Sequence, residues 1–171
     1  FGGDDEALQQ EKDGFYILAE NGVRNADGSF TPYSPSHSEF KQYLLVVNQV
    51  GADNLRSQYP NATILIFDSE TNSAHHYEWV IEGVELGEYW HIEEFPVDIP
   101  GFSYYAEYSV YDTDGEHSAI AEYGTRASMV GKTFALDEDP DQGMTVHFTN
   151  YYYHNNQILL KKEDGATGAG I

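Results

Sequence analysis

The sequence has no cysteine, few basic residues and no long hydrophobic run, and each absence narrows what the chain can do. Without cysteine it has neither a disulfide framework nor a thiol nucleophile. Its 8 Lys and Arg residues stand against 29 Asp and Glu residues, a formal net charge of −21. This charge opposes nucleic acid and anionic membrane surfaces. No stretch approaches the ~20 apolar residues of a membrane span. We therefore expect no nucleic-acid partner and no membrane insertion in this segment.

The chain contains, instead, short apolar runs rich in β-branched and aromatic residues. They recur about every 10–15 residues and are separated by turns that contain Gly, Asn, Asp or Pro. The nine runs are FYILA from 15, YLLVVNQV from 43, ATILIF from 62, HHYEWVIE from 75, EYWHIEE from 88, SYYAEYSVY from 103, SAIAEY from 118, KTFAL from 132 and MTVHFT from 144. No helical periodicity is long enough for a crossover. The pattern predicts an all-β fold, an antiparallel β-sandwich.

Composition divides the chain into three parts. Residues 1–13 are acidic and lack apolar periodicity, so we interpret them as a leader or linker. Residues 14–155 hold the runs and form the predicted sandwich, with a long polar surface loop at 21–38. Residues 156–171 begin as a polar linker, with Asn156 and Gln157, and continue with the apolar run ILL.

Alternation along two runs places polar side chains on the apolar side of a strand. Trp90, Ile92 and Glu94 share one face, and Val146, Phe148 and Asn150 share another. A carboxyl group inside the core is costly unless it is paired, hydrogen-bonded or protonated. We predict that Glu94 is buried and within hydrogen-bond reach of Asn150, although both could instead lie at strand ends in water.

The same two runs carry a resemblance. GEYWHIEE resembles the Gly-x-x-Tyr-x-Val-x-Glu strand, and VHFTNYY the Val-x-Phe-Thr-Asn-x-Tyr final strand, of the immunoglobulin-like pilin and adhesin domains of Gram-positive cell surfaces, relatives of the B-type repeats of the collagen adhesin. The resemblance covers roughly residues 43–153. It implies an immunoglobulin-like sandwich. In that family a first-strand lysine and a last-strand asparagine form an isopeptide bond with the help of a glutamate. By this match Glu94 is the proton shuttle and Asn150 the acceptor.

The family's lysine is missing from the matching stretch. LLVVNQVG has Asn48 at the expected lysine position, and Lys41 lies seven residues upstream. Lys12 or Lys132 could serve only if another strand came first. The resemblance therefore implies either a hydrogen-bonded cluster of Asn48, Glu94 and Asn150 or, with a different register, an intact crosslink.

The end of the sequence resembles the start of another repeat of this family. ILLKKEDGATGAGI matches a first strand and turn, with Lys162 as the isopeptide lysine of the next domain. We expect residues 157–162 to form a strand paired with a sheet edge, in this chain or in a neighbouring subunit. The alternative is a loose segment cut just past a domain border.

Other candidate sites are weaker. Carboxylates crowd two turns, at Asp112 and Asp114 and at Asp137, Asp139 and Asp141, as in fragments of calcium loops. Neither turn completes the twelve-residue pattern, and hairpin turns explain both. The histidines show no metal-ligand spacing, and no nucleophile elbow or phosphate-binding Gly loop is present. We expect no enzyme activity and no cofactor other than possible calcium.

These observations together favour a structural role. The expected function is a shaft or stalk domain of an extracellular Gram-positive adhesin or pilus, cell-wall or pilus associated, whose partners are neighbouring domains or subunits. One alternative is a sandwich module that binds carbohydrate or a host protein through exposed aromatic residues. The other is a filament subunit that assembles by donating its C-terminal strand.

Overall fold

The computed structural model describes residues 11–67, 77–85, 87–112, 115–120, 128–132 and 145–154. Within these ranges the protein is β-rich, as the short apolar runs predict. The strands are β1 (Tyr16–Arg24), β2 (Phe30–Pro32), β3 (Gln42–Val46), β4 (Thr63–Ile66), β5 (Tyr89–Phe95), β6 (Phe102–Asp112), β7 (Gly115–Ile120), β8 (Ser128–Lys132) and β9 (Thr145–His154). Helix α1 (Gln49–Leu55) follows β3, and residues 11–14 are also helical. Neither helical segment is long and apolar enough to cross a membrane.

Six strands form the large sheet, in the order β4-β3-β1-β5-β8, with β2 paired to the end of β1. All neighbours are antiparallel except β3 and β4, which run parallel. Parallel neighbours need a crossover connection, and α1 supplies it. The prediction of a purely antiparallel sheet is therefore wrong at this edge, because the run from residue 43 ends as a strand at Val46 and Asn48 caps the following helix.

Three strands form the small sheet, in the order β7-β6-β9. The ladder between β6 and β9 is long and antiparallel, from Phe102 opposite His154 to Tyr111 opposite Thr145. Both strands are rich in tyrosine, and the rings of Tyr104 and Tyr152 are neighbours across the ladder, with centroids 5.7 Å apart. Aromatic cross-strand pairs of this kind stabilise antiparallel ladders.

Apolar side chains cover both faces of the large sheet. On one face Leu18, Leu44 and Val46 pack against Ala52 and Leu55 of α1. The other face is built on Phe15, Ile17, Leu45 and Val47, and Phe148 of β9 packs against it. Continuous apolar runs such as FYILA and LLVV suit strands that are buried on both sides. The small sheet thus contacts the large sheet through β9.

The segment predicted as a loop at 21–38 is partly strand. β1 continues to Arg24, and β2 pairs back on it through a turn at Asp27–Gly28, where Gly28 has a positive φ of 89°. Asp27 accepts hydrogen bonds from the backbone N–H and the hydroxyl of Ser29, which fixes the turn. Asn21, placed at the start of the surface loop by the sequence, is buried, with 1% of its surface exposed.

Two other predicted segments lie only partly among the described residues. The run from residue 75 is described from Tyr77 onward, and residues 77–82 are not assigned to a strand, although Tyr77, Trp79 and Ile81 pack on the large sheet. Residues 11–13 of the predicted leader are helical. The rest of that leader and the whole of 156–171, with Lys162 and the expected strand at 157–162, lie outside the described residues.

Candidate functional site: Glu94 and Asn150 between the sheets

Glu94 lies on the face of the large sheet that meets β9. Alternation along β5 buries Trp90 and Glu94, which are 2% and 1% exposed, and turns Ile92 to the same side. At Glu94 the neighbouring strand is β1, and the ladder between β5 and β8 ends one residue earlier, at Glu93. The predicted inward direction of Glu94 is confirmed.

Asn150 approaches Glu94 from the small sheet. Along β9, Val146, Phe148 and Asn150 are half-buried, whereas His147 and Thr149 are exposed, as the alternation predicts. The side chains of Asn150 and Glu94 are hydrogen-bonded. Opposite Asn150 on β6 is Ala106, which is fully buried, so a small side chain leaves room for the amide. The predicted contact between Glu94 and Asn150 is confirmed.

The surroundings of Glu94 favour its protonated, neutral form. Burial raises the pKa of its carboxyl group from 4.5 to about 8, the hydrogen bond from Asn150 opposes that rise, and the nearby charge of Glu11 adds to it. Glu94 Oε1 and Asn150 Oδ1 are both buried without a hydrogen-bond partner in the described part of the chain. Both are acceptors, and the carboxylic proton of Glu94 is a donor in the same space.

The residue beside Glu94 on the first strand is Ile17. It is the direct antiparallel partner of Glu94 and therefore lies on the same face, 6% exposed within the apolar cluster. Ile17 thus occupies the strand position from which a lysine could reach both Glu94 and Asn150. Ile17 carries no amine, so this strand position, as the structure describes it, holds no nucleophile, whereas the sequence places the missing lysine at Asn48.

Asn48 does not join Glu94 and Asn150, and that prediction is wrong. Asn48 is the N-cap of α1: its Oδ1 accepts from the N–H of Gly51 at 2.9 Å, and its Nδ2 donates to Asp13 at 2.8 Å. Asn is a preferred N-cap residue because its side chain satisfies a free N–H of the first turn. The preference of Asn for N-cap positions was the available sequence signal, and it was weak because Gly, not Glu or Gln, lies three residues later.

A second Glu–Asn pair in the large sheet does have a lysine. Glu88 accepts from Lys41 Nζ at 2.7 Å through Oε1 and from Asn21 Nδ2 at 2.8 Å through Oε2. Asn21 also donates to the carbonyl of Glu39 and accepts from the N–H of Lys41. These residues come from distant parts of the sequence, so the alternation of single strands could not reveal them.

The cluster of Asn21, Lys41 and Glu88 is ionic, whereas the pair of Glu94 and Asn150 is neutral. Burial acts to raise the pKa of Glu88, but hydrogen bonds from Lys41, the N–H of Glu85 and Asn21, together with the Lys41 charge, lower it overall. Lys41 Nζ and Glu88 Oε1 form an ion pair at 2.7 Å, whereas isopeptide formation needs a neutral amine beside a protonated acid. The Asn21–Lys41–Glu88 cluster therefore fixes the sheet end and does not have the chemistry of crosslinking.

Two further groups near Glu94 also favour their neutral forms. The Tyr152 hydroxyl donates to the carbonyl of Val97 at 3.4 Å, and burial, followed by the charges of Glu11 and Glu94, raises its pKa. Burial likewise raises the pKa of Glu11. Each of these shifts favours the protonated form of its group, which suits a structural interior.

The calcium candidates are not assembled by the described residues. Asp112 ends β6, whereas Asp114, Asp137, Asp139 and Asp141 lie outside the described ranges. Within those ranges no group of three His, Asp or Glu residues is placed to hold a metal ion.

No protein-family model, no curated protein and no solved structure matches this chain.

Proposed function

We propose that this chain supplies a non-enzymatic, immunoglobulin-like sandwich domain to the shaft of an extracellular Gram-positive adhesin or pilus. The observation that supports this is the buried, hydrogen-bonded pair of Glu94 and Asn150 between the two sheets. The pair combines a protonated acid with an amide, the arrangement that the family resemblance implies. It lies beside the apolar cluster built on Phe15, Ile17, Leu45 and Val47.

In this proposal the pair connects the sheets without a covalent bond. Ile17 provides no amine, so Asn150 keeps its amide and Glu94 keeps its proton. A buried hydrogen bond of this type is expected to contribute about 1–3 kcal/mol, mainly because either group alone would be left unsatisfied. The domain then spaces an adhesive tip from the cell wall by its folded stability.

The decisive experiment is to restore the missing amine with Ile17→Lys. Directly opposed residues on neighbouring strands have Cβ atoms ~5 Å apart, and facing sheets pack ~10 Å apart. A lysine at position 17 therefore reaches Asn150 beside Glu94. Its deprotonated nitrogen attacks the side-chain carbonyl carbon of Asn150, a C–N bond forms, the original C–N bond breaks, and ammonia leaves with a proton relayed by Glu94.

Intact mass spectrometry reads the result directly. The wild-type chain should have the mass calculated from its sequence. Ile17→Lys should be lighter than the mass calculated from its own sequence by one ammonia. Ile17→Lys combined with Glu94→Gln should again have its full calculated mass. Ile17→Met controls for the change at a core position. If Ile17→Lys folds by circular dichroism and keeps its full mass, the site assignment is wrong. A wild-type chain that already lacks one ammonia would also contradict the proposal.

A specific observation favours one second candidate, a carbohydrate-binding module. Between β2 and β3 the rings of Tyr33 and His37 are stacked, with centroids 4.0 Å apart and planes 14° from parallel. The connection around them is mostly exposed, and a sugar ring could stack on such a platform. A glycan array with the wild type and Tyr33→Ala tests this: binding that Tyr33→Ala abolishes would favour the module over the shaft.

A further inference from the structure

The outer edge of β4 is a strand edge that no other described strand covers. β4 pairs with β3 on one side, and no described residue forms a hydrogen bond with its other side. Edge strands usually carry lysine, proline or a bulge that prevents another strand from pairing. The run ATILIF at 62–67 has none of these and no charged residue. Ile66, at the end of β4, is 41% exposed.

Charge limits what can pair with this edge. With a net charge of −21, most surfaces of two copies repel each other. A segment that approaches β4 has to be apolar enough to cover Ile66 and has to carry positive charge. Residues 157–162, QILLKK, meet both conditions: three apolar residues are followed by two of the chain's eight basic residues. They lie outside the described residues.

We propose that the outer edge of β4 accepts residues 157–162 of a second copy of the chain as an added strand. This names the neighbour of the structural domain proposed above and so rests on that function. Added strands bind through main-chain hydrogen bonds, and alternate side chains provide the specificity. Ile64 lies on the α1 side of the sheet, and Ile66 follows it on the same face. Apolar side chains of the added strand would cover Ile66 there.

The short length of chain after β9 favours pairing with β4 of a second copy over pairing with β4 of the same chain. Asn150 and Tyr152 place the end of β9 over β5 and Val97. A strand added outside β4 would be four strand spacings from β5, about 19 Å away. Gln157 is three residues beyond His154, so it lies within about 11 Å of the end of β9 even in a fully extended chain. The chain's own segment therefore cannot pair with β4 from its first residue.

The experiment is sedimentation velocity on the full chain over a range of concentrations. We expect association that exceeds dimers, because donor and acceptor are different surfaces. Ile66→Lys should weaken association at least about tenfold by introducing a charge at the acceptor edge. Val23→Lys is the matched control, since Val23 is 43% exposed on the hairpin of β1 and β2, and it should associate as the wild type does. Leu159→Lys should weaken association like Ile66→Lys.

Mixing the two weakened variants provides the strictest test. The Ile66→Lys chain keeps an intact donor and the Leu159→Lys chain an intact acceptor, so an equimolar mixture should form heterodimers. Chains that stay monomeric at all concentrations overturn the proposal. So does association that survives Ile66→Lys, or a closed dimer that is insensitive to Leu159→Lys. The mass of Ile17→Lys does not depend on association, so failure here and failure of the proposed function are distinguishable.

Discussion

Replacing Glu94 by glutamine should remove a specific loss of stability at alkaline pH. In the folded protein the pKa of Glu94 is raised from 4.5 to about 8 by burial, so the folded state holds a proton that the unfolded state releases. The contribution of Glu94 to the free energy of unfolding is therefore fully present below its unfolded pKa and is lost as the pH rises through its folded pKa. The slope in this window is about 1.4 kcal/mol per pH unit.

Between pH 6 and pH 9 the wild type should consequently lose about 3 kcal/mol of stability through this one group. Glu94→Gln keeps a polar side chain of the same size that can hydrogen-bond Asn150 and cannot ionise. Its stability should therefore fall by about 3 kcal/mol less than that of the wild type over the same range, and it should exceed that of the wild type at pH 9. The measurement is urea unfolding at several pH values, analysed by the midpoint and slope.

Glu11→Gln is the control for the other carboxyl group, because burial raises the pKa of Glu11 as well. It should remove only part of the alkaline loss. If wild type and Glu94→Gln lose stability in parallel between pH 6 and pH 9, Glu94 is not a buried acid that binds a proton on folding. The geometry assigned to the pair with Asn150 would then be wrong.

Three further predictions follow from contacts elsewhere in the large sheet. Asn48→Ala should cost about 1–2 kcal/mol through loss of the α1 cap and should leave the alkaline pH dependence unchanged in urea unfolding; a changed pH dependence would contradict the separation of Asn48 from Glu94. Glu88→Gln should lower stability at pH 7 and converge with the wild type at low pH, because the pKa of Glu88 is lowered in the fold and its contribution disappears as pH falls through that value; curves that remain parallel down to acid pH would refute this. Gly22→Ala should cost about 2 kcal/mol or more in thermal unfolding, since its Cβ would lie 2.1 Å from the carbonyl oxygen of Thr31 in β2; Val23→Ala next to it is the control, and equal stability of the two variants would show that the hairpin shifts freely.

Local alternation was sufficient to predict the inward side chains on two strands. Trp90 and Glu94 on β5, and Phe148 and Asn150 on β9, face the interior that their two-residue period indicates. The contact between Glu94 and Asn150 was predicted for two reasons. A buried carboxyl group needs a polar partner, and the resemblance to pilin and adhesin domains indicates Asn150 as that partner.

The predictions that are wrong depend on strand register and on contacts between residues far apart in the sequence. The apolar run from residue 43 has no break that distinguishes a long strand from a strand followed by a capped helix, so Asn48 was assigned to the wrong element. That error moved the lysine position away from Ile17, whose relation to Glu94 is set by strand pairing. Asn21, Lys41 and Glu88 meet only because the fold brings three separate segments together.

The chain enters β1 and leaves β9 at the same end of the molecule. Tyr16 is paired with Phe95 at the end of β5, and Tyr152 bonds to Val97 just beyond it. Tension transmitted through neighbouring segments would therefore separate the two sheets at that end and would not slide strands along one another. The pair of Glu94 and Asn150 lies next to the opening edge, so resistance to pulling should weaken under alkaline conditions, when Glu94 loses its proton.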